Sequence, residues 1–274
     1  MTKAILLADR GVVEVSGEDA AKFLHNLVTN DITSLGNGEA RFAALLTPQG
    51  KILFDFVVFS PGEGRFLLDC PLSLAPDLEK RLNMYKLRAK VAVANLSDRL
   101  EAVAFPDAPE RPKVEAIALA PDPRSEALGW RALAEKGKIA AAGPLAEYET
   151  RRIRAGVPLG GVDFAYSDAF PHETNMDLLA GLDFKKGCYV GQEVVSRMKH
   201  RNLVRKRVTR YRAPGGAPRP GESIRAGDVE IGVTGSAIGE EGLALIRLDR
   251  LADAEEKGHT PMAGGVKLEF AERD

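Results

Sequence analysis

Apolar positions change their period several times along the chain. Ala20, Phe23, Leu24, Leu27 and Val28 recur at i, i+3, i+4, i+7 and i+8, which draws one apolar stripe down a helix. Ser16 and Asp19 precede it with S-x-x-D spacing, so a capping box is expected to open that helix and Asn30-Asp31 to close it. Residues 41–46 and 51–59 are dense in Phe, Val and Leu and predict two strands. Thr47-Pro48-Gln49-Gly50 between them has Pro second and Gly fourth, the pattern of a type I turn, and predicts a hairpin. A turn is expected at 61–64, a strand at 65–69 and another at 90–94. Leu74, Leu78, Leu82 and Tyr85 predict a helix over 72–85. Helices interleaved with frequent hairpins favour an α+β architecture over a doubly wound parallel sheet.

Pro and Gly punctuate the second half. FPDAPERPK (105–113) predicts a linker or loop, and a helix over 148–155 is expected to stop at Gly156 and Pro158. APGGAPRPG (213–221) carries three Pro and three Gly. Short β-like runs at 229–234, 243–248 and 266–270 follow and suggest a small C-terminal β-barrel or sandwich. The chain is therefore expected to divide into an α+β region over 1–204 and a β-barrel over 205–274. No period of 20 to 50 residues repeats, so a solenoid is not expected.

Composition narrows the function classes. With 274 residues, 45% hydrophobic and 28% charged, the chain has an ordinary globular balance and is long enough to bury a full core. Lys plus Arg number 38 against 39 Asp plus Glu, a net charge of −1, which excludes nucleic-acid binding through bulk charge but not through a local patch. No apolar run suits a transmembrane helix, so no membrane partner is expected. The opening MTKAILLADRG reaches Asp9 and Arg10 after five apolar residues, too few for a signal-peptide core. Cys70 and Cys188 make no disulfide framework. Together these features give the expectation of a reducing, cytoplasmic setting.

Candidate chemistry concentrates in FKKGCYVGQEVVSRMKHR, residues 184–201. Gly187 and Gly191 allow sharp turns or close approach, and Lys185 and Lys186 beside Cys188 would favour its thiolate, the form that attacks or ligates. The competing reading is a cysteine buried as a small hydrophobe. Tyr189 could pack against a ligand or against the core, and Gln192 and Glu193 stand near the start of an element. Cys70, beside Pro71 after a strand, suits core packing. One cysteine cannot hold an iron–sulfur cluster, which takes about four ligands, and no CxxC, HExxH or His cluster occurs. No metal and no cluster held by this chain alone is therefore expected, which leaves open a transient cluster shared with another protein.

Downstream, Arg197, Lys199, Arg201, Arg205, Lys206, Arg207, Arg210 and Arg212 form a run with no Asp or Glu between Glu193 and Glu222. It suits a polyanion or an acidic partner surface, or a solvated strand pair offset by acidic neighbours. An RNA reading is weakened because only Tyr211 interleaves with the charges. His25 and His200 are expected at the surface, His172 lining a channel, and Trp130 in packing.

K-G-C-Y-V-G-Q-E (Lys186 to Glu193) resembles the signature of the YgfZ family, folate-binding relatives of the glycine-cleavage T-protein. DAAKFLHNLVTND from Asp19, LLTPQGKILFD from Leu45, RLNMYKLRAKV from Arg81, RIRAGVPLGGVD from Arg152 and PHETN from Pro171 resemble family blocks in family order. The resemblance implies a T-protein-like fold, with α+β subdomains around a central channel and a C-terminal β-barrel. It implies tetrahydrofolate as cofactor and a role in assembly or repair of iron–sulfur proteins, with client or assembly proteins as partners. It carries functional roles onto Cys188 and Lys186. Asp55, Glu173 and Asn175 become candidates for folate, with Tyr189, Gln192 and Glu193 beside it, and Arg197, Lys199, Arg201, Arg205, Lys206 and Arg207 for a partner or polyanion. Two departures argue against aminomethyl transfer. Phe54-Asp55 stands where T-proteins carry paired aspartates, and Arg154 stands where their R-L-E-A-G run has a pterin-binding glutamate; an arginine cannot accept from pterin N–H groups. A folate-dependent one-carbon transferase and an RNA-associated tRNA-modification factor are the alternative functions.

Overall fold

The computed structural model describes residues 3–201 and 204–270. Its first layer is an antiparallel sheet with strand order Ala40–Leu46, Ile52–Gly62, Arg65–Pro71, Arg10–Ser16 and Ala92–Asn95. The 47–50 hairpin forms as expected, closed by Thr47 N–H donating to Lys51 O and Gly50 N–H to Thr47 O. Both faces of this sheet are covered, which is why its strands carry continuous apolar runs. Val13, Ala43, Leu45, Phe56, Val58 and Leu68 face helices α1 (Ala20–Leu27) and α2 (Ala75–Tyr85). Val12, Ala44, Leu46, Val57, Phe59 and Leu67 face the rest of the molecule. The α1 stripe forms, but the expected capping box does not. Ser16 ends a strand, and the Asp19 carboxylate accepts from Lys90 N–H at 2.8 Å instead of capping the helix. A short 3₁₀ turn, Leu72–Leu74, takes up the start of the segment expected to be wholly α2.

The second sheet orders Ile5–Leu6, Leu100–Phe105, Trp130–Glu135 and Ala118–Pro121, all antiparallel. The Pro-rich 105–113 stretch lies in the loop joining two of these strands. Leu100, Ala102, Ala104, Ala118, Ala120 and Leu133 pack onto the first sheet through a shared core. A buried ionic network crosses the same seam. Asp69 accepts from Arg10 Nε at 2.7 Å and from Arg131 Nε, Arg131 reaches Asp122 at 3.3 Å, and Arg124 holds Asp122 at 2.7 Å. Tyr148, from helix α3 (Leu145–Arg154), accepts from both Arg124 and Arg131 through its hydroxyl. Burial pushes both carboxyls up, yet the facing arginines outweigh it and hold both below the ordinary range, Asp122 at about 2.

The third sheet has seven strands in the order Val266–Lys267, Pro261–Ala263, Ser223–Ala226, Val229–Ile238, Glu241–Arg247, Lys206–Arg212 and Glu269–Phe270. Its two edge strands are separated in sequence only by Leu268. The sheet must therefore curl until its edges nearly meet, which makes a nearly closed barrel. Helix α4 (Gln192–His200) precedes the barrel, and α5 (Leu248–Glu256) packs onto it through Leu251 and Ala254. Two polar ties join barrel and body. Asp163 accepts from Arg152 at 3.2 Å and from the N–H and hydroxyl of Ser236; a Cβ on Gly235 would meet its Oδ1 at 2.2 Å, so only glycine fits beside it. Arg207 holds Asp177 in a bidentate pair at 3.0 Å, and Val208 N–H donates to Glu173 O.

The sign of the Asp122 shift sets a test. Its folded value lies below the unfolded 3.8, so its contribution to stability is complete above that range and is lost as pH falls through about 2. Asp122→Asn leaves two buried arginines short of a carboxylate and is expected to cost about 3–5 kcal/mol near neutrality. The gap to the wild type should narrow as pH falls from 4 to 2. Urea unfolding across that range checks both expectations. A variant within about 1 kcal/mol of the wild type at pH 7 contradicts them.

Candidate functional site

The K-G-C-Y-V-G-Q-E segment forms a loop clamped at both ends, with Cys188 exposed between the clamps. The first clamp is Lys186. Its side chain is buried, and Nζ donates to the carbonyls of His25, Val28 and Asn30 at 2.5, 2.6 and 2.9 Å. These carbonyls lie at the C-terminal end of α1, where the helix dipole favours a cation. Desolvation still lowers the lysine, to about 8, against the opposing pull of Asp31 and Asp183. The second clamp is Gly191, in left-handed backbone with φ +83° at the start of α4. A Cβ there would meet Thr47 O at 2.6 Å, so the loop seats on the 47–50 hairpin turn only because the residue is glycine. Gly187 has open space around its Cα and meets no such demand.

The segment after α1 completes the anchorage. Thr29 Oγ1 donates to Gly181 O at 2.7 Å and Asn30 Nδ2 to Ala180 O at 2.7 Å. Asp183 Oδ1 accepts from the N–H groups of Lys185 and Lys186 at 2.7 and 3.1 Å. From sequence Asn30 reads only as the end of α1, and neither Thr29 nor Asp183 stands out. Asn-Asp pairs usually signal only a turn, and partners about 150 positions away leave no local mark.

The role expected of Lys186 is corrected. An ammonium has three N–H donors, and three carbonyls take them. Lys186 therefore holds the Cys188 loop in place rather than pairing with the thiol. Tyr189 is core, 7% exposed, with its phenol pushed up to about 12 by burial and by Asp183. Gln192 and Glu193 form the first turn of α4, where Glu193 pairs with Arg197 at 2.6 Å. Cys70 is sealed in the core, and burial pushes its thiol up to about 12.

The candidate folate residues fall apart into different environments. Asp55 is buried in the first sheet, accepts from the Tyr166 hydroxyl and lies in the field of Arg10. Burial, with Asp55 beside it, pushes the Tyr166 phenol far up, so that it stays a donor. Glu173 turns back to cap the Phe170 N–H at 2.8 Å. Asn175, at φ +62°, spends its side chain on Gly156 O, Val208 O and Arg207. Asn175 through its side chain and Glu173 through its backbone carbonyl therefore tie body to barrel. His172 is buried, with Phe184 6.1 Å away between ring centroids and no hydrogen-bond partner for either ring nitrogen among the described residues. His25 is half-buried, its Nδ1 2.8 Å from Asp31, and His200 is exposed. Trp130 begins an inner strand of the second sheet, paired with Phe105 on one side and Pro121 on the other, and packs against its outer cluster.

Three of the eight cations in the basic run are offset by carboxylates. Arg197 pairs with Glu193, Arg207 with Asp177, and Arg212 with Glu240. Arg210 donates to Arg154 O, and Lys199 lies 3.6 Å over the Phe184 ring. Arg201 and Arg205 are exposed, while Lys206 begins a barrel strand. Among the described residues, no group of three or more His, Cys, Asp or Glu could hold a metal, and no helix is long and apolar enough to cross a membrane.

Residues 7–108 match the GCVT N-terminal domain model, and residues 205–274 match the CAF17 C-terminal beta-barrel domain model. The solved glycine cleavage system aminomethyltransferase T from Bartonella henselae shares the fold, with a TM-score of 0.76 over 99% of this chain and 86% of that one at 16% identity. The expected T-protein-like α+β fold with a C-terminal barrel is thus the observed one. A curated relative from Mycosarcoma maydis, a mitochondrial iron-sulfur cluster assembly factor IBA57 homolog, is 38% identical over 73% of this chain, which spans 54% of that protein. The mouse mitochondrial iron-sulfur cluster assembly factor IBA57 is 33% identical, covering 89% of this chain and 77% of its own length. The Neurospora crassa homolog is 31% identical over 96% of this chain and 74% of its own. These names overturn the expected cytoplasmic setting and point to a mitochondrial one. The cysteine argument separates reducing from oxidising surroundings but not one reducing compartment from another. Held by similarity along nearly its whole length, the chain belongs to the family of the iron-sulfur cluster assembly factor IBA57.

Proposed function

We propose that the chain is a tetrahydrofolate-binding accessory factor, of the YgfZ type, in the assembly or repair of iron–sulfur proteins. The observation that carries this reading is a solvent-exposed thiol on a loop that two independent clamps hold still. An exposed cysteine on a mobile loop would sample many positions; this one is presented at one. A thiolate there can supply one ligand to a cluster in transit, and the remaining ligands, typically three, come from the partner. The cluster is cargo, bound at the surface and passed on. The names of the relatives support the same role.

For folate, the residues that fit are Asp55 and Tyr166. The Asp55 carboxylate suits the N–H donors of a pterin, and Tyr166 fixes one of its oxygens. When bound, the folate would supply a one-carbon carrier; Asp55 would orient it. Arg154 disfavours aminomethyl transfer, because it is exposed and paired with Glu241 at 2.6 Å, with no carboxylate in its place to meet a pterin. The RNA alternative loses ground with the three offset cations of the basic run. In this reading residues 1–204 form the folate-binding body and residues 205–274 the barrel.

Two outcomes are expected. Under native conditions iodoacetamide should alkylate Cys188 readily and leave Cys70 unmodified until the chain unfolds. In a strain lacking the protein, Cys188→Ser should fold normally yet fail to restore activity of [4Fe–4S] enzymes; full restoration contradicts the thiol's role. Separately, calorimetric titration with tetrahydrofolate should show binding that Asp55→Asn weakens about tenfold, a change of about 1.4 kcal/mol. Equal affinity in the variant contradicts the assignment of Asp55.

A further inference from the structure

A groove of about 370 Å3 runs between α1 and the turn that ends α2. Its apolar wall is Phe23, Leu27 and Tyr85. Its rim carries Lys22, Lys86 and Arg88, and none of these three side chains has an ion-pair or hydrogen-bond partner among the described residues. Arg197, Arg207 and Arg212 of the basic run are answered by carboxylates of the same chain, whereas these three cations stand beside apolar surface. The one carboxylate on the rim, Asp19, is held by the Lys90 N–H.

At the lip, Leu87 is 88% exposed and sits in left-handed backbone at φ +41°. A γ-branched side chain in this conformation is strained. The fold thus holds a leucine in an unfavourable conformation and presents it almost wholly to water. Nothing among the described residues covers it.

The groove is also joined to the cysteine loop. Lys186 grips the carbonyls of His25, Val28 and Asn30, and Asn26 and Leu27 of that same helical turn line the groove. Whatever fills the groove bears on the helix end to which the Cys188 loop is fastened.

We infer that this groove docks an acidic amphipathic segment of a partner protein, its apolar side chains against Phe23, Leu27, Tyr85 and Leu87 and its carboxylates toward Lys22, Lys86 and Arg88. The inference rests on the proposed cluster-handling role for its purpose, since docking here brings the partner to the helix end that carries the cysteine loop. Its physical basis is separate. Unpaired cations beside an apolar floor attract a segment of opposite charge and matching amphipathicity, and such contacts weaken with salt.

The test uses random 16-residue peptides displayed on phage, panned against the full chain. Enriched sequences should combine Asp or Glu with spaced Leu, Ile or Phe. Synthetic copies should lose at least tenfold in affinity to K22E/R88E and to Leu87→Asp, and should weaken as salt rises. Circular dichroism melting of each variant must match the wild type, and these positions are exposed enough to tolerate the changes. Enrichment of basic or uncharged sequences, no enrichment, or equal binding to K22E/R88E overturns the inference. Cys188→Ser should bind the same peptides as tightly as the wild type. If it does, and yet supports [4Fe–4S] enzymes fully, the proposed function fails while the docking surface stands. If K22E/R88E supports those enzymes fully and binds the peptides normally, the docking surface fails while the function stands.

Discussion

A single ammonium group, that of Lys186, sits among three main-chain carbonyls at the end of α1, and the placement of Cys188 depends on it. Residues 183–191 have no helix or strand of their own to hold them. A loop of that kind is ordinarily free to move. Here the negative end of a helix and a buried cation lock together, and burial makes the lock costly to leave half-made. Asp183 gathers the loop's N–H groups at the same point, while Thr29 and Asn30 bind the segment from the other side. The thiol needs no regular structure beneath it because the neighbouring helix end supplies the frame.

The same physical device recurs at the larger seams of the molecule. Apolar packing brings the two body sheets together, but Ala, Val and Leu faces slide past one another with little penalty. Asp69 and Asp122, shared among Arg10, Arg124 and Arg131, give that seam one geometry. The barrel is keyed likewise through Asp163 to Ser236 and through Arg207 to Asp177. Greasy contact supplies the attraction and buried charge supplies the alignment.

Much of this was legible in the sequence where neighbours in sequence are neighbours in space. The α1 stripe, the 47–50 turn and the glycine-spaced barrel strands declare themselves through period and turn chemistry. The strand Trp130–Glu135 (WRALAE) did not, because an alanine-rich run with an internal arginine lacks β-branched residues, and the carboxylates that let its arginine be buried, Asp69 and Asp122, lie outside the strand. The basic run misled for the same reason: its local stretch holds no carboxylate, but Asp177 lies thirty positions upstream of Arg207 and Glu240 twenty-eight downstream of Arg212. Lys186 misled most directly. Two residues from Cys188, it suggested a charge pair, yet its side chain goes to α1, some 160 positions earlier. Asp55 was legible as a carboxylate of interest; Tyr166, which orients it, was not.

Hydrogen exchange across residues 183–193, compared between the wild type and Lys186→Met, tests the central claim most directly. Methionine keeps the length of the side chain and removes the ammonium. The account predicts that amides of the cysteine loop and of the α1 end lose protection together, while those of the two body sheets and the barrel stay as slow as before. Unchanged protection in the loop would contradict it, since the loop would then be held by something other than that cation.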